Sequence, residues 1–562
     1  MAKSASYVIG LDYGTSSVRA LVVRCEDGME VASNVWPYPH GDEGVITDPS
    51  NPVLARQFPA DYIEGLAHTV QGALAVAETG PGFRRDLIVG IGVDTTGSTP
   101  IPVDERCRPL TEQSRFADNP NAMAWLWKDH TAFAEAGEIT RKSDEDGLPY
   151  MRMVGGTYSS EWFWSKLLHC ARIDPEVFAA AHSWVECQDF VPGYLVGVTH
   201  PSQLRRGVCA AGHKALFNPE WGGLPSSEFL ASLDPRLGDL RSRLYCEAFA
   251  SDTEAGKLAP GVAETLGLPA GISVCVGAFD AHMGAVGSGI RPGTLVKVMG
   301  TSCCDIAVAD GETGFIPGMC GVVRGSVLPS MMGIEAGQSA IGDLYQWVAG
   351  RLCPPEFREP DAHVALTQEA LKLRPGQSGL LALDWNNGNR TILVDQRLTG
   401  LLIGQTLHTT APEIYRAVVE ATAFGALTIM RQMEMYGARI DSVVNCGGIS
   451  EKSALVMQIY ADVCNRPMKI SRSAQSCALG AAIFASVTGG AHPDVAAAQA
   501  AMTGIKERVF VPDPESVAVY ARLYRLYMQL HDAFGGVEKS ADLGQLMKDL
   551  LEIRDSAFRG LR

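Results

Sequence analysis

No stretch of this sequence approaches the roughly 18 consecutive apolar residues of a membrane span. The opening MAKSASY has no apolar core of the kind a secretory signal carries. Both absences lead to the expectation of a cytoplasmic protein with no membrane partner. Paired C-x-x-C spacing is missing as well. The 14 cysteines include an adjacent Cys303-Cys304 and the separate Cys446, Cys464 and Cys477, a pattern that gives neither a zinc site nor a disulfide framework. Basic charge is short: 47 Lys plus Arg against 63 Asp plus Glu leave a net charge of -16. That argues against a nucleic-acid coat or a polybasic membrane patch. It leaves an anionic substrate open, because helix ends and glycine-rich turns bind phosphate without net positive charge. Disorder is excluded by a content of 46% apolar and 20% charged residues. A single core is excluded by length, since 562 residues exceed the roughly 250–300 at which one core stops growing.

What is present is organised around ISVCVGAFDAHMGAVGSG, residues 272–289. The β-branched run Ile272, Val274, Val276 reads as a buried strand, Gly277 as a turn, and 281–286 as the first turns of a helix. Asp280 then falls at or near the helix N-cap, where free backbone amides orient its carboxylate. The end of a strand facing a cleft is where α/β enzymes place catalytic groups; the plain alternative is a residue that only caps a helix.

Two strand–turn–strand units carry matching turns. YVIGLDYGTSSVRALVV (7–23) holds Asp12, Gly14 and Thr15, and TLVKVMGTSCCDIAVAD (294–310) holds Gly300 and Thr301. Glycine at 14 permits a turn that side chains would block. The hydroxyls and amides beside it suit phosphate oxygens, and Asp12 could hold a magnesium ion directly or through water. One such hairpin in each half suggests two related domains facing each other. A helix is expected over 59–77 and a strand over 87–93, with 94–99 forming a pocket lip. An amphipathic helix is expected from the Asn119-Pro120 turn, carrying Trp125, Trp127, Lys128, Asp129 and His130 near its start. The tryptophans of GGTYSSEWFWSKLLH (155–169) read as core, leaving Tyr158 and Glu161 as polar pocket candidates. Lys214 is expected in a loop-like segment, and Glu335 and Gln338 ahead of a helix. Residues 441–468 read as strand, Gly447-Gly448, and one long helix; such a turn lets backbone lie against a nucleotide. SCALGAAIFASV (476–487) reads as a helix for tight packing, 352–379 as a peripheral linker. Two tail helices near 515–534 and 541–557 read as a cover or an oligomer contact.

In this order the pieces resemble the FGGY family of carbohydrate kinases. The stretches DTTGSTPIPVD, NPNAMAWLWKDHTA, SSEWFWSKLLH, RRGVCAAGHKALF, GAFDAHMGAVG, KVMGTSCCDI and IEAGQSAIGD carry the resemblance, which runs from Tyr7 to about Tyr527. Within the family they follow the members that phosphorylate L-ribulose. The resemblance implies an α/β fold of two actin-like domains (sugar kinase/Hsp70-type, ribonuclease H-like), 1–288 and 289–562, with a catalytic cleft between them. It implies ATP and Mg²⁺ as cofactors, a ketopentose as substrate, and a homodimer as the oligomer to test. Asp12, Gly14, Thr15, Gly300 and Thr301 would meet the phosphates and Mg²⁺; Gly447, Gly448 and Gln338 would serve the nucleotide. Lys214, Asp280 and Glu335 would hold the sugar, Gly97 and Ser98 would line its far end, and Asp280 would be the catalytic base. Phosphoryl transfer demands alignment and charge neutralisation above all, which suits this set. Kinases of D-ribulose or xylulose, and a sugar-sensing actin-like ATPase, remain open at this point.

Overall fold

The computed structural model describes residues 5–311 and 313–559. These residues build two mixed sheets of the same plan. In the first, the hairpin Tyr7–Tyr13/Ser17–Arg24 is antiparallel, and Glu30–Pro37 extends it on one side. On the other side Tyr7–Tyr13 pairs in parallel with Ile88–Thr95, which pairs in parallel with Ser273–Cys275 and Ala278–Phe279. The second sheet repeats the order. The hairpin Gly293–Met299/Cys303–Ala309 is extended by Met332–Gln338, and its first strand runs parallel to Ile440–Cys446, beside Met468–Ile470. The expected internal repeat is thus a repeat of strand order, with a turn of type G-T-S opening each sheet.

The helix Ser476–Thr488 shows why the small residues of its stretch matter. It belongs by sequence to the second half, yet it lies under the first sheet. Its backbone comes so close that a Cβ on Gly10 would fall 1.8 Å from the Ala478 carbonyl oxygen, and one on Gly92 2.0 Å from that of Ala481. On its other flank it meets the helix Asp280–Gly287, where a Cβ on Gly480 would sit 1.9 Å from the Met283 carbonyl oxygen. Val8, Leu21, Val286, Val296, Ile306, Ala482 and Ile483 close one apolar core around this contact, drawn from both halves of the chain.

Several local expectations hold. The helix Pro59–Ala77 forms with proline in its first turn, where no amide is needed. The tail forms Pro514–Phe534 and Leu546–Arg559. The first of these packs as a cover: the Arg416 guanidinium donates to the Tyr520 hydroxyl at 2.8 Å, and Tyr527 donates to Asp384 at 3.1 Å. Other expectations are corrected. The expected helix is absent over 123–132: a single 3-10 turn, Pro120–Ala122, is followed by Ala124–Trp125, which pairs with Asn51–Gln57, and the helix starts only at Phe133. The buried Arg56 overrides the periodicity: its guanidinium lies 3.5 Å from the Trp125 ring centroid and donates to Asp129, which also accepts from the Ala55 amide at 2.8 Å. The long helix after Gly447-Gly448 breaks into Gly448–Lys452 and Ala454–Cys464, with the Ser453 hydroxyl capping the second piece. The stretch 352–379 contains the helix Ala362–Ala370, capped by Asp361.

The close approach of Ser476–Thr488 predicts a contrast between two glycines. Gly480→Ala must push backbone apart and should lower Tm by several degrees. Gly137→Ala lies in the helix Phe133–Glu145 with nothing within 4 Å of the added carbon, and should be neutral or stabilising by up to about 1 kcal/mol. Calorimetry on both variants checks this; equal Tm values would remove the packing argument.

Candidate active site

Between the sheets lies a cavity of about 210 Å³, walled by both halves of the chain. Asp280 stands in its wall as the first residue of the helix Asp280–Gly287, one position inside the cap, which is Phe279. Its Oδ1 accepts the Ala281 amide hydrogen at 2.6 Å. Burial, followed by the negative charge of Asp12, pushes the Asp280 carboxyl up to about 7. The Ala281 amide and the Lys214 ammonium pull the other way without cancelling this.

Lys214 is in the last turn of a helix, Val208–Ala215, and not in a loop. The run of small residues Cys209, Ala210, Ala211 lets that helix bury completely, and the Tyr158 hydroxyl donates to the Lys214 carbonyl. The Lys214 Nζ donates to Glu335 Oε1 at 2.7 Å, joining the two halves across the cavity. Burial alone would lower the lysine, but Glu335 holds it above its ordinary value. Burial alone would raise Glu335, but Lys214, then His213 and His282, hold it well below the usual carboxylate range. The imidazoles behind it are neutral: burial carries His213 well below its ordinary value and His282 down to about 4. Trp162 closes the wall beside Lys214, its ring centroid 5.2 Å from Lys214 Nζ.

The two hairpin turns reach the same cavity through Thr15, Gly300 and Thr301. Each is closed by a backbone bond, Gly14 N–H to Ser17 O and Gly300 N–H to Ser302 O, both 2.9 Å. Neither glycine has positive φ, and a Cβ would meet nothing nearer than 3.4 Å at Gly14 or 3.8 Å at Gly300. The expectation that Gly14 is required by the turn is therefore corrected. Gly447 does need to be glycine: its φ is 91°, and a Cβ would fall 2.5 Å from the Met299 carbonyl oxygen. This sets Gly447-Gly448 beside the second hairpin, outside the cavity wall.

Asp12 and Asp94 are register partners on the parallel strands Tyr7–Tyr13 and Ile88–Thr95. Asp12 holds one ion pair, to Arg19 at 3.3 Å. Both carboxylate oxygens of Asp94 are buried and accept no hydrogen bond from a nitrogen or hydroxyl donor, their polar neighbour being the Asp12 carboxyl. Burial, then the charges of Asp12 and Asp280, raises Asp94 well above the usual range. Unsatisfied, hard oxygen donors of this kind fit a hard divalent cation such as Mg²⁺.

The structure therefore brings Thr15, Gly97, Lys214, Asp280, Gly300, Thr301 and Glu335 to one cavity. It does not bring Ser98 there, whose buried hydroxyl donates to Glu186. Nor does it bring Gln338, which lies on the strand Met332–Gln338 and donates to Asp384 at 2.7 Å and to the Thr422 carbonyl at 2.8 Å inside the second half. Trp127, Trp162 and Arg390 line the cavity without having been selected from the sequence, whereas Asp94, inside the expected lip at 94–99, lies beside Asp12 and not in the cavity wall.

Profiles of the FGGY family of carbohydrate kinases match this chain twice, the N-terminal domain over residues 7–287 and the C-terminal domain over residues 295–489. A ribulokinase of Vibrio parahaemolyticus is 42% identical over 98% of both chains. One of Shouchella clausii is 39% identical over 99% of both. Among solved structures, a xylulose kinase from Rhodospirillum rubrum superimposes with a TM-score of 0.76 at 24% identity, covering 94% of this chain and 99% of its own. Plasmodium falciparum glycerol kinase with ADP does so with a TM-score of 0.74 at 14% identity, covering 94% and 98%. Both share the two-domain α/β fold, and no helix among the described residues is long and apolar enough to cross a membrane. With both domain profiles matched in order and full-length relatives at this identity, the chain belongs to the FGGY family of carbohydrate kinases.

Proposed function

We propose that this enzyme transfers the terminal phosphoryl group of ATP to L-ribulose, giving ADP and L-ribulose 5-phosphate, a step in the breakdown of L-arabinose. One observation carries the chemistry: Asp280, a half-buried carboxyl raised to about 7, shares a single cavity with the Lys214–Glu335 pair and two hairpin turns. The similarity to proteins named ribulokinase along nearly the whole chain supports the choice of sugar.

Lys214 and Glu335 offer a donor and an acceptor fixed to each other, so a sugar hydroxyl meets a preset pair. Asp280 accepts the proton of the attacking hydroxyl, a task suited to a base whose pKa lies near working pH. The Thr15 and Thr301 turns, one from each half, hold the phosphates from opposite sides. Asp12 and Asp94 would hold Mg²⁺, directly or through water, and the ion would supply neutralising charge for those phosphates. Gly447-Gly448 would lie along the adenosine, with Gln338 organising the strand end behind it. Bringing the two halves together excludes water, which would otherwise compete with the sugar for the phosphoryl group.

The test is a panel of ketopentoses with ADP and sugar phosphate both quantified. L-Ribulose is expected to give the highest kcat/KM, with one ADP per sugar phosphate. D-Ribulose or a xylulose in that place would move the substrate within the family. ADP release independent of any sugar would overturn the transfer reaction itself.

Asp280→Asn keeps the shape of the side chain and removes the base. Its kcat is expected to fall by about 10²–10⁴-fold, with ATP binding retained. A near-parental rate would return Asp280 to a purely structural position. The raised carboxyl also makes a signed prediction. Parental kcat/KM for the sugar should climb about tenfold per pH unit below neutrality and level off above about 7, as the base loses its proton. Because the folded-state value lies above the ordinary 3.8, this group withdraws stability as pH rises from about 4 to about 7. Asp280→Asn should therefore melt above the parent at pH 8, with the difference shrinking toward pH 4. A difference that grows toward acid pH would contradict the raised value.

A further inference from the structure

Among the described residues, Lys214 and Arg390 are the lysine and arginine in the cavity wall. The Lys214 ammonium is matched by Glu335 at 2.7 Å. Arg390 is held differently. Its one ion pair runs from Nη2 to Glu161 Oε1 at 3.2 Å, across the two halves of the chain. Its Nε is buried with no acceptor. Its guanidinium carbon lies 5.7 Å from the Trp127 ring centroid, and the Trp127 indole N–H is donated to Thr15 Oγ1 at 3.1 Å. Arg390 thus comes from the second half of the chain and stands one side chain away from the first phosphate hairpin.

A triphosphate entering this space meets a wall that already carries Glu161, Asp280 and Glu335. With Lys214 matched, Arg390 is the cation with donors to spare. Building on the kinase reading above, we propose that Arg390 is a further catalytic residue, donating hydrogen bonds to the oxygens of the terminal phosphoryl group while that group passes from ATP to the sugar. In this step the bond from the terminal phosphorus to the bridging oxygen of ADP breaks. The bond from phosphorus to the sugar oxygen forms, and the hydroxyl proton goes to Asp280; Arg390 itself is unchanged. Charge in such a transition state spreads over the transferring oxygens, and a planar guanidinium meets two of them at once where an ammonium meets one. Glu161 holds the far edge of the fork so that its plane is fixed before the phosphate arrives. Because Arg390 and Thr15 lie on opposite halves, the full set of phosphate contacts exists only when the halves approach, which ties transfer to closure.

The test uses the full-length enzyme with Arg390→Gln, Arg390→Lys, Arg390→Ala and Glu161→Gln. Arg390→Gln is expected to lower kcat by about 100- to 1000-fold. Sugar affinity measured without nucleotide should stay within about threefold, since Arg390 pairs with Glu161 and makes no hydrogen bond to Lys214 or Glu335. In calorimetry it should weaken ATP at least about tenfold more than ADP, since only ATP has the group in question. Arg390→Lys should recover only part of the rate, and added guanidinium ion should restore part of it to Arg390→Ala. Glu161→Gln, which keeps the cation, should cost less than about tenfold. Equal weakening of ATP and ADP would overturn the proposal. So would a Glu161→Gln loss as deep as that of Arg390→Gln without guanidinium rescue, because Arg390 would then be a strut between domains. A parental enzyme that phosphorylates no ketopentose would overturn the proposed function alone, and the ATP-against-ADP comparison would still decide Arg390.

Discussion

The contact on which this molecule depends is the backbone-to-backbone seating of the helix Ser476–Thr488. Glycines at 10, 90 and 92 on the first sheet leave room for its carbonyls, with Cβ positions 1.8 to 2.2 Å from helix oxygens. On the opposite flank Gly287 and Gly480 bring the helix Asp280–Gly287 equally close. Packing at this distance fixes three things together: the strand bearing Asp12, the strand bearing Asp94, and the helix that begins with Asp280. Interiors packed this closely transmit displacement and do not absorb it. A helix from the second half therefore sets the geometry of carboxylates in the first.

Charge is distributed over that frame in a way that stability alone would not favour. Asp94 is buried and Asp12 and Asp280 are half-buried near it, and loss of solvent raises all three. A buried ion pair such as Lys214–Glu335 gains Coulomb energy but loses hydration on both sides, so it is weak evidence for stabilisation. Its position across the cavity gives it another use, as a donor and an acceptor preset for a polyhydroxyl ligand. The structural ion pairs have different surroundings. Arg56 and Asp129 are fully buried; Arg56 Nε donates to the Pro120 carbonyl and its guanidinium covers the Trp125 face, and Asp129 also accepts the Ala55 amide hydrogen, while Arg56 Nη2 stays without an acceptor. Lys297 and Asp305 pair inside the second sheet, both fully buried, with the second Asp305 oxygen unpartnered. What sets Arg390 apart from these pairs is its place in the cavity wall, where its unpartnered Nε is within a ligand's reach.

Much of the fold was legible because local rules and tertiary needs agreed. The hairpins at 7–24 and 293–309, the helix at 59–77, the small-residue helix at 476–488 and the strand-to-helix junction at 280 all follow from β-branched runs, proline at a first turn and glycine spacing. The same patterns marked Asp12, Thr15, Asp280, Gly300 and Thr301, since each sits at the end of a regular element where a turn is readable. Tertiary structure decided the rest. Amphipathic spacing after Asn119-Pro120 suggested a helix, but one buried arginine with Trp125 and Asp129 as partners holds 123–132 as a short strand and turns. Lys214 read as loop because its helix is short and surrounded by small residues whose burial depends on the opposite domain. Ser98 and Gln338 stand close in sequence to cavity residues, yet their side chains turn toward Glu186 and Asp384. Arg390 gave no sequence signal, for its place is set by Glu161, 229 residues away. Sequence determined the elements and the residues at their ends, because those depend on neighbours within a few positions. Only the tertiary structure decided which side chains share the cavity, because that depends on how two sheets are held by one helix passing between them.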